Sequence, residues 1–283
     1  MSQERLRVGL NMNFRNLSLI RVCIRCVFHF KLKKIVKYKN EYRGQTCYLW
    51  GDGVSIKHFD LSAFPSHVSI AGNYLRNHVQ FRELNVKFWL FITPMFFWPL
   101  AFRKNNKNFK NERAWRRHYS PRRLKDSQVI SVMSLTNWPF TAGTRSLYIF
   151  DKFPASDKPD LFFRKDILAG TVNASVALAV YLGFENAYLI GFDYTHATAH
   201  QGHWYERGHG SVVNQDEYNK DFFAVASKYI NLITVTLDGP GRILQSITYE
   251  ELTSRKPSYR ENFELTDSRN LEILDGQLGY TVY

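Results

Sequence analysis

The stretch that most constrains this chain runs from Ala169 to Gly208. It reads AGTVNASVALAVYLGF and continues ENAYLIGFDYTHATAHQGHWYERG. No side chain between Ala174 and Leu182 carries charge, and Gly183 stands where a helix C′ glycine belongs. A helix that is apolar all round has to be buried. Ala187 to Ile190 is too short for a second helix and suits a strand, whose end Gly191 and Asp193 mark. Buried helix, three-residue turn and buried strand form the repeating unit of a doubly wound sheet. The expected fold is therefore α/β, Rossmann-like, doubly wound and mostly parallel. In such sheets ligands bind outside the carboxyl ends of the strands, where Asp193, Tyr194, Thr195 and the following histidines fall.

Composition narrows the class. With 283 residues, 45% of them hydrophobic, the chain can build a core and is not a disordered protein. Its net charge of +13 points to an anionic partner: nucleic acid, an acidic membrane surface or a phosphorylated substrate. Cys23, Cys26 and Cys47 cannot form a disulfide framework. Cys23 and Cys26 fall on one face of a basic helix with no βαβ unit around them, which disfavours a redox motif and fits the cytoplasm.

Leu17 to Val27 is apolar but broken by Arg21 and Arg25, and it leads into His29, Lys31, Lys33 and Lys34. It is too short and too charged to span a bilayer, and no small-residue cleavage site follows. Residues 1–43 are expected to form a basic amphipathic helix. Such a helix either lies on an anionic leaflet or packs on the domain with one solvated face.

The catalytic-type domain is expected over 44–255. Thr46 to Trp50 reads as its first strand and runs into Gly51, Asp52, Gly53, Val54 and Ser55, then a helical turn from Ile56 to Phe59. A glycine-bearing turn after a strand can hold a phosphate on backbone N–H groups, or can be no more than a tight connection. It is neither a P-loop nor a full GxGxxG. His67 to Ala71 reads as a second strand, ending at Gly72 and Asn73. Lys87 to Ile92 reads as a third, followed by Thr93 and Pro94, and the apolar run to Phe102 holds two prolines and cannot span a membrane. Residues 103–126 form a basic insertion with Trp115 and Tyr119 interleaved. A solvated or membrane-facing excursion fits it better than a nucleic-acid module, so no nucleic-acid partner is expected. Val129 to Met133 reads as the next strand. Asp216 to Ile230 reads as an amphipathic helix capped by Asp216, Leu232 to Leu237 as the last strand, and Ile247 to Leu252 with the tail 256–283 as peripheral.

Several of these pieces together resemble one family. A strand with GDGVS, a strand ending in Asn73, a strand leading into FITPMFF, and GTVNASVALAVYLGFENAYLIGFDY are similar to glycosyltransferase family 42, the bacterial sialyltransferases. They are similar as well to the related MptE-like and lipopolysaccharide or capsule biosynthesis proteins. The resemblance covers roughly Thr46 to Asp193, with gaps around the insertion. It implies a GT-A-like sialyltransferase variant of the Rossmann fold that takes a CMP-sugar donor and a cell-surface glycan or glycolipid acceptor. Gly51, Asp52, Gly53 and Ser55 match the loop that contacts the donor nucleotide, and Asn73 an asparagine lining the same site. Thr93 matches a polar residue before proline, while Gly170 and Thr171 fall near the helix start that faces the donor phosphate. Asp193 and Tyr194 stand at the following strand end. The family's asparagine is Asp52 here and its proline is Val54, which sets a carboxylate near a phosphate unless it faces ribose hydroxyls.

The resemblance also implies a histidine general base from a lid-like region, here 194–215, which holds His196, His200, His203 and His209. Imidazole titrates near neutrality, so it can accept a proton from an attacking hydroxyl. His203 is the expected base because it opens HWY, similar to an HFY in some relatives, with Tyr205 beside it to stabilise a leaving phosphate. Two other readings stay open: a structural histidine, or zinc held by His196, His200 and His203, against which Thr198 and Gly202 argue. No DxD motif occurs, which fits a metal-independent transferase needing no cofactor beyond its nucleotide-sugar co-substrate. A pyrophosphokinase or other nucleotide-dependent enzyme, and a non-catalytic polyanion-binding protein, are the alternatives. A cytoplasmic enzyme, peripheral on the inner membrane, is the expected setting.

Overall fold

The computed structural model describes residues 14–72, 74–94, 97, 128–142, 144–150, 153–155, 170–213 and 219–275. The basic insertion 103–126, Asn73, Asp216 and the last eight residues lie outside them.

Eight parallel strands form one sheet. In chain order these are β1 (Thr46–Trp50), β2 (Val68–Gly72), β3 (Val86–Phe91), β4 (Ile130–Ser134), β5 (Ser146–Ile149), β6 (Asn186–Ile190), β9 (Asn231–Thr236) and β10 (Gln245–Thr248). Between β6 and β9, β7 (His200–Gln201) and β8 (Ser211–Val212) make a small antiparallel ladder. The sheet order is β10-β9-β6-β1-β2-β3-β4-β5, with every pairing parallel. The chain winds outward from β1 to β5, returns, and continues on the other side of β1. The switch point thus lies between β1 and β6, paired from Thr46 with Asn186 to Trp50 with Ile190.

Both faces of the sheet are covered, so the central strands show no polar alternation. Cys47 and Leu49 point to one core, while Tyr48 and Trp50 point to the other. The first core is built on the helix Thr171–Leu182, in which every residue after Thr171 is buried. That explains its charge-free sequence. Gly183 ends the helix at φ +89, and its N–H reaches Ala179 O and Val180 O at 3.1 Å. A left-handed residue without a Cβ is what this cap requires. The remaining carbonyls are met by incoming chain: Asn40 N–H donates to Tyr181 O and Tyr42 N–H to Leu182 O.

The segment before β1 is a helix, Phe14–Val27, a second helix, His29–Lys33, and a 3-10 turn, Lys34–Tyr38. Leu32, Ile35 and Tyr38 are buried against the domain, and the segment packs beside β5. Among the described residues no helix is long and apolar enough to cross a membrane.

Two expectations are revised, and one strand was not expected. Ile247 and Thr248, in the stretch expected to be peripheral, belong to strand β10, which pairs with β9 and whose exposed Gln245 and Ser246 show no apolar period. Strand β5, four residues long, carries too little sequence signal to be read at all. Residues 256–275 pack into the second core: Asn262, Leu265, Leu271 and Leu274 are buried, because single apolar side chains in a polar tail reach it from separate turns. The helix expected from Asp216 is described over Lys220–Ala226.

Candidate active site

The loops after β1 and β6 meet at the switch point. Gly53 N–H donates to Gly191 O at 2.8 Å, and a Cβ at Gly53 would stand 2.6 Å from both that oxygen and Asp193 Oδ2. Only glycine lets the two backbones approach this closely. Next to it, Ser55 donates to Asp193 twice, from its N–H to Oδ2 (2.8 Å) and from Oγ to Oδ1 (2.5 Å). Asp193 and Ser55 are therefore buried and committed to each other; they fix the two loops, and of the pair Asp193 alone borders the cleft.

The start of the central helix forms the second wall. Gly170 is its N-cap in extended backbone with no side chain capping the first turn. Thr171 packs its methyl against the end of β2, where a Cβ on Gly72 would meet Thr171 Cγ2 at 2.6 Å. Loops and helix start enclose a cleft of about 380 Å³, lined by Gly51, Asp52, Gly53, Gly170, Thr171, Asp193, Tyr194, His200 and His203 among others. A helix N-terminus at such a wall favours an anion.

The histidine-rich segment closes the third side. Gly53 and His203 form an isolated antiparallel bridge, and Trp204 N–H donates to Asp52 O at 3.0 Å. The three residues of HWY have different fates. His203 faces the cleft, Trp204 is fully buried, and Tyr205 is buried with its ring stacked on His203 at 5.0 Å and 14°. Tyr205 is thus a support for the imidazole and does not line the cleft, because Tyr74 and Trp204 enclose its ring.

Glu206 is the residue that sequence reasoning missed. Its Oε1 lies 3.0 Å from His203 Nδ1, and its Oε2 accepts the His203 N–H at 3.1 Å. A carboxylate accepts hydrogen bonds, so this contact suits the tautomer with its proton on Nδ1. The signal was a Glu three residues after a candidate base, in a turn rather than a helix. Of the other histidines, His200 lines the cleft with a buried Nδ1 that has no hydrogen-bond partner among the described residues. His196 is buried where it bridges Gly241, and His209 stacks on Tyr259 at 4.0 Å. Among the described residues no three metal-ligating side chains converge.

The Asp52 carboxylate turns inward. Oδ2 accepts Tyr74 N–H at 3.2 Å and Oδ1 accepts Trp204 Nε1–H at 3.3 Å. Burial pushes its pKa up to about 6, against the opposing pull of nearby His203 and of these hydrogen bonds. Thr93 is exposed at the end of β3, its carbonyl accepting from Asn137 Nδ2, and does not line the cleft. β2 stands between its strand and β1.

No family model matches the chain, and no curated protein matches it. Among solved structures it is similar to the MAf glycosyltransferase of Magnetospirillum magneticum AMB-1, with TM-score 0.43 and 12% identity over 92% of this chain and 45% of that one. A variant of the sialyltransferase CST-II in complex with CMP gives TM-score 0.43 and 13% identity, over 83% of this chain and 100% of that one. The sialyltransferase CstII from Campylobacter jejuni, in complex with cytidine-5'-monophosphate, gives 0.41 and 13%, over 83% and 99%. The chain spans less than half the length of the first of these. Likeness at this level assigns no chemistry.

Proposed function

We infer that the chain is a glycosyltransferase that moves a sugar from a nucleotide-activated donor, a CMP-sugar, to a hydroxyl of a surface-glycan acceptor. The observation that carries this reading is the His203–Glu206 pair on the wall of a cleft that also holds a helix start. Glycosyl transfer needs both halves of that arrangement. The acceptor O–H loses its proton to His203 Nε2 as its oxygen bonds to the anomeric carbon, and the bond from that carbon to the donor phosphate breaks. Glu206 stabilises the imidazolium so formed. The phosphate leaves with the bonding pair, and its charge falls toward the amides at Gly170 and Thr171. Asp52, whose oxygens are held by Tyr74 and Trp204, keeps its carboxylate off that phosphate.

Thermal melting with CMP, CDP, UDP, GDP and ATP tests the donor. CMP or CDP should raise the melting temperature, and His203→Ala should keep that rise while losing roughly a hundredfold or more of CMP-sugar turnover. A rise with ATP alone would replace this reading with a pyrophosphokinase-type one. Salt-sensitive nucleic-acid binding without any nucleotide effect would replace it with polyanion binding.

A further inference from the structure

Six large apolar side chains stand exposed among the described residues, and three of them, Val22, Val27 and Phe30, lie within nine positions of the segment before β1. Phe30 is 83% exposed and Val27 73%. Val79, Val212 and Phe263 are scattered singly, as is ordinary for a soluble surface. The inward face of the segment is accounted for: Ile24 and Phe28 pack against the second core, and Leu32 and Ile35 are buried. At about 100° per residue, Val22, Cys26, Phe30, Cys23 and Val27 fall on a single arc roughly 140° wide, on the opposite side from those inward residues. Cys23 and Cys26 are exposed as well. The segment is therefore apolar on two opposite sides, and the described residues of the domain cover only one.

Charge identifies what covers the other. Between residues 5 and 40 the sequence has no Asp or Glu, whereas Arg21, Lys33, Lys34 and Lys37 are exposed along the same helices and turn. An exposed apolar strip followed along the segment by exposed lysines and no carboxylate suits an interface where hydrocarbon meets phosphate. A second copy would bring its own cations against these. A nucleic acid would satisfy the cations and leave Phe30 and Val27 in water.

We propose that this face docks the protein on a bilayer containing anionic phospholipid, with Val22, Val27 and Phe30 entering the acyl boundary and Lys33, Lys34 and Lys37 meeting the lipid phosphates. The surface shares no residue with the cleft, so its test stands apart from that of the catalytic reading.

The experiment is flotation of the full chain with vesicles of phosphatidylglycerol and phosphatidylcholine, and with vesicles of phosphatidylcholine alone. Binding to the first, weakening as salt rises and absent on the second, is the expected result. Val27→Ser with Phe30→Ser should weaken it at least about tenfold, and Lys33→Glu with Lys34→Glu by a similar factor. All four side chains are exposed, so an unchanged melting temperature checks that the variants fold. A polarity-sensitive thiol probe, which reaches Cys23 and Cys26 but not buried Cys47, should shift to the blue on the anionic vesicles. The proposal is overturned by no binding to anionic vesicles at low salt, or by binding that the serine pair leaves unchanged. A dimer that the serine pair dissolves would assign the face to a second copy and overturn it equally.

Discussion

Glu206 makes His203 more than one histidine among several. By facing Nδ1 and holding the backbone N–H of the same residue, it suits one tautomer and fixes the position of the ring. Glu206→Gln can still accept at one atom but no longer balances an imidazolium, so kcat for CMP-sugar turnover should fall about 10–100-fold with nucleotide binding retained. Equal loss of nucleotide binding would mean that the pair holds the lid and has no part in proton transfer. Asp52 offers a second test, by pH. Its folded-state pKa of about 6 lies above its ordinary value of 3.8. Between those values the folded chain keeps a proton that the unfolded chain has released, so stability from this group is present at low pH and is lost as pH rises through 6. Asp52→Asn does not titrate. The melting temperature of the variant relative to the native chain should therefore climb from pH 4 to pH 7, by an amount equivalent to on the order of 2 kcal/mol, reduced because the residue keeps some exposure. A difference that stays constant with pH would show that the carboxylate does not titrate in that window.

At the scale of elements, the site depends on how closely the ends of β1 and β6 approach. Gly53→Ala would drive a methyl into Asp193 and the Gly191 carbonyl, both part of rigid loop structure. The two loops must part to admit it. A stability loss of about 2–4 kcal/mol is expected in denaturant unfolding, with loss of the nucleotide-induced thermal shift. The same loops explain where sequence reading ended. Gly51, Asp52 and Gly53 were visible as a turn, but a turn that only connects and a turn that forms a cleft have the same local sequence. What distinguishes them is Asp193, 138 residues from Ser55.

Across the whole molecule, Lys57 ties together three parts far apart in sequence. It is buried, donates to Gly208 O at 2.7 Å and pairs with Glu261, while Gly208 N–H donates back to Glu261. Segment 256–261 is thereby bound to the turn after β1 and to the histidine loop, with Ser258 N–H on His58 O and Arg260 N–H on Lys57 O. The Lys57 ammonium, with hydrogen bonds from Asn262, Tyr259 and Gly208, outweighs burial and holds the Glu261 pKa down to about 2. Stability from this carboxylate is full above its ordinary pKa of 4.5 and is lost as pH falls toward 2. Lys57→Met should remove about 2–4 kcal/mol at neutral pH and flatten that acid limb, measured by melting at a series of pH values. An unchanged acid limb would mean that the backbone donors alone hold the carboxylate.

The sequence by itself determined the elements whose environment is written in their own residues. Helix 171–182 has no charge because both sheet and neighbours cover it, and its end is marked by the one residue that takes φ +89 without strain. Strands β1, β2, β3, β4 and β6 were legible because burial on both faces requires continuous apolar runs. Tertiary structure alone decided which polar residues face the cleft. His200 and His203 line it while His196 and His209 do not, and Tyr205 is enclosed although it stands beside His203. It also drew residues 256–275 into the core. Side-chain direction in irregular loops follows from contacts with distant segments, and those contacts leave no local period for a sequence to display.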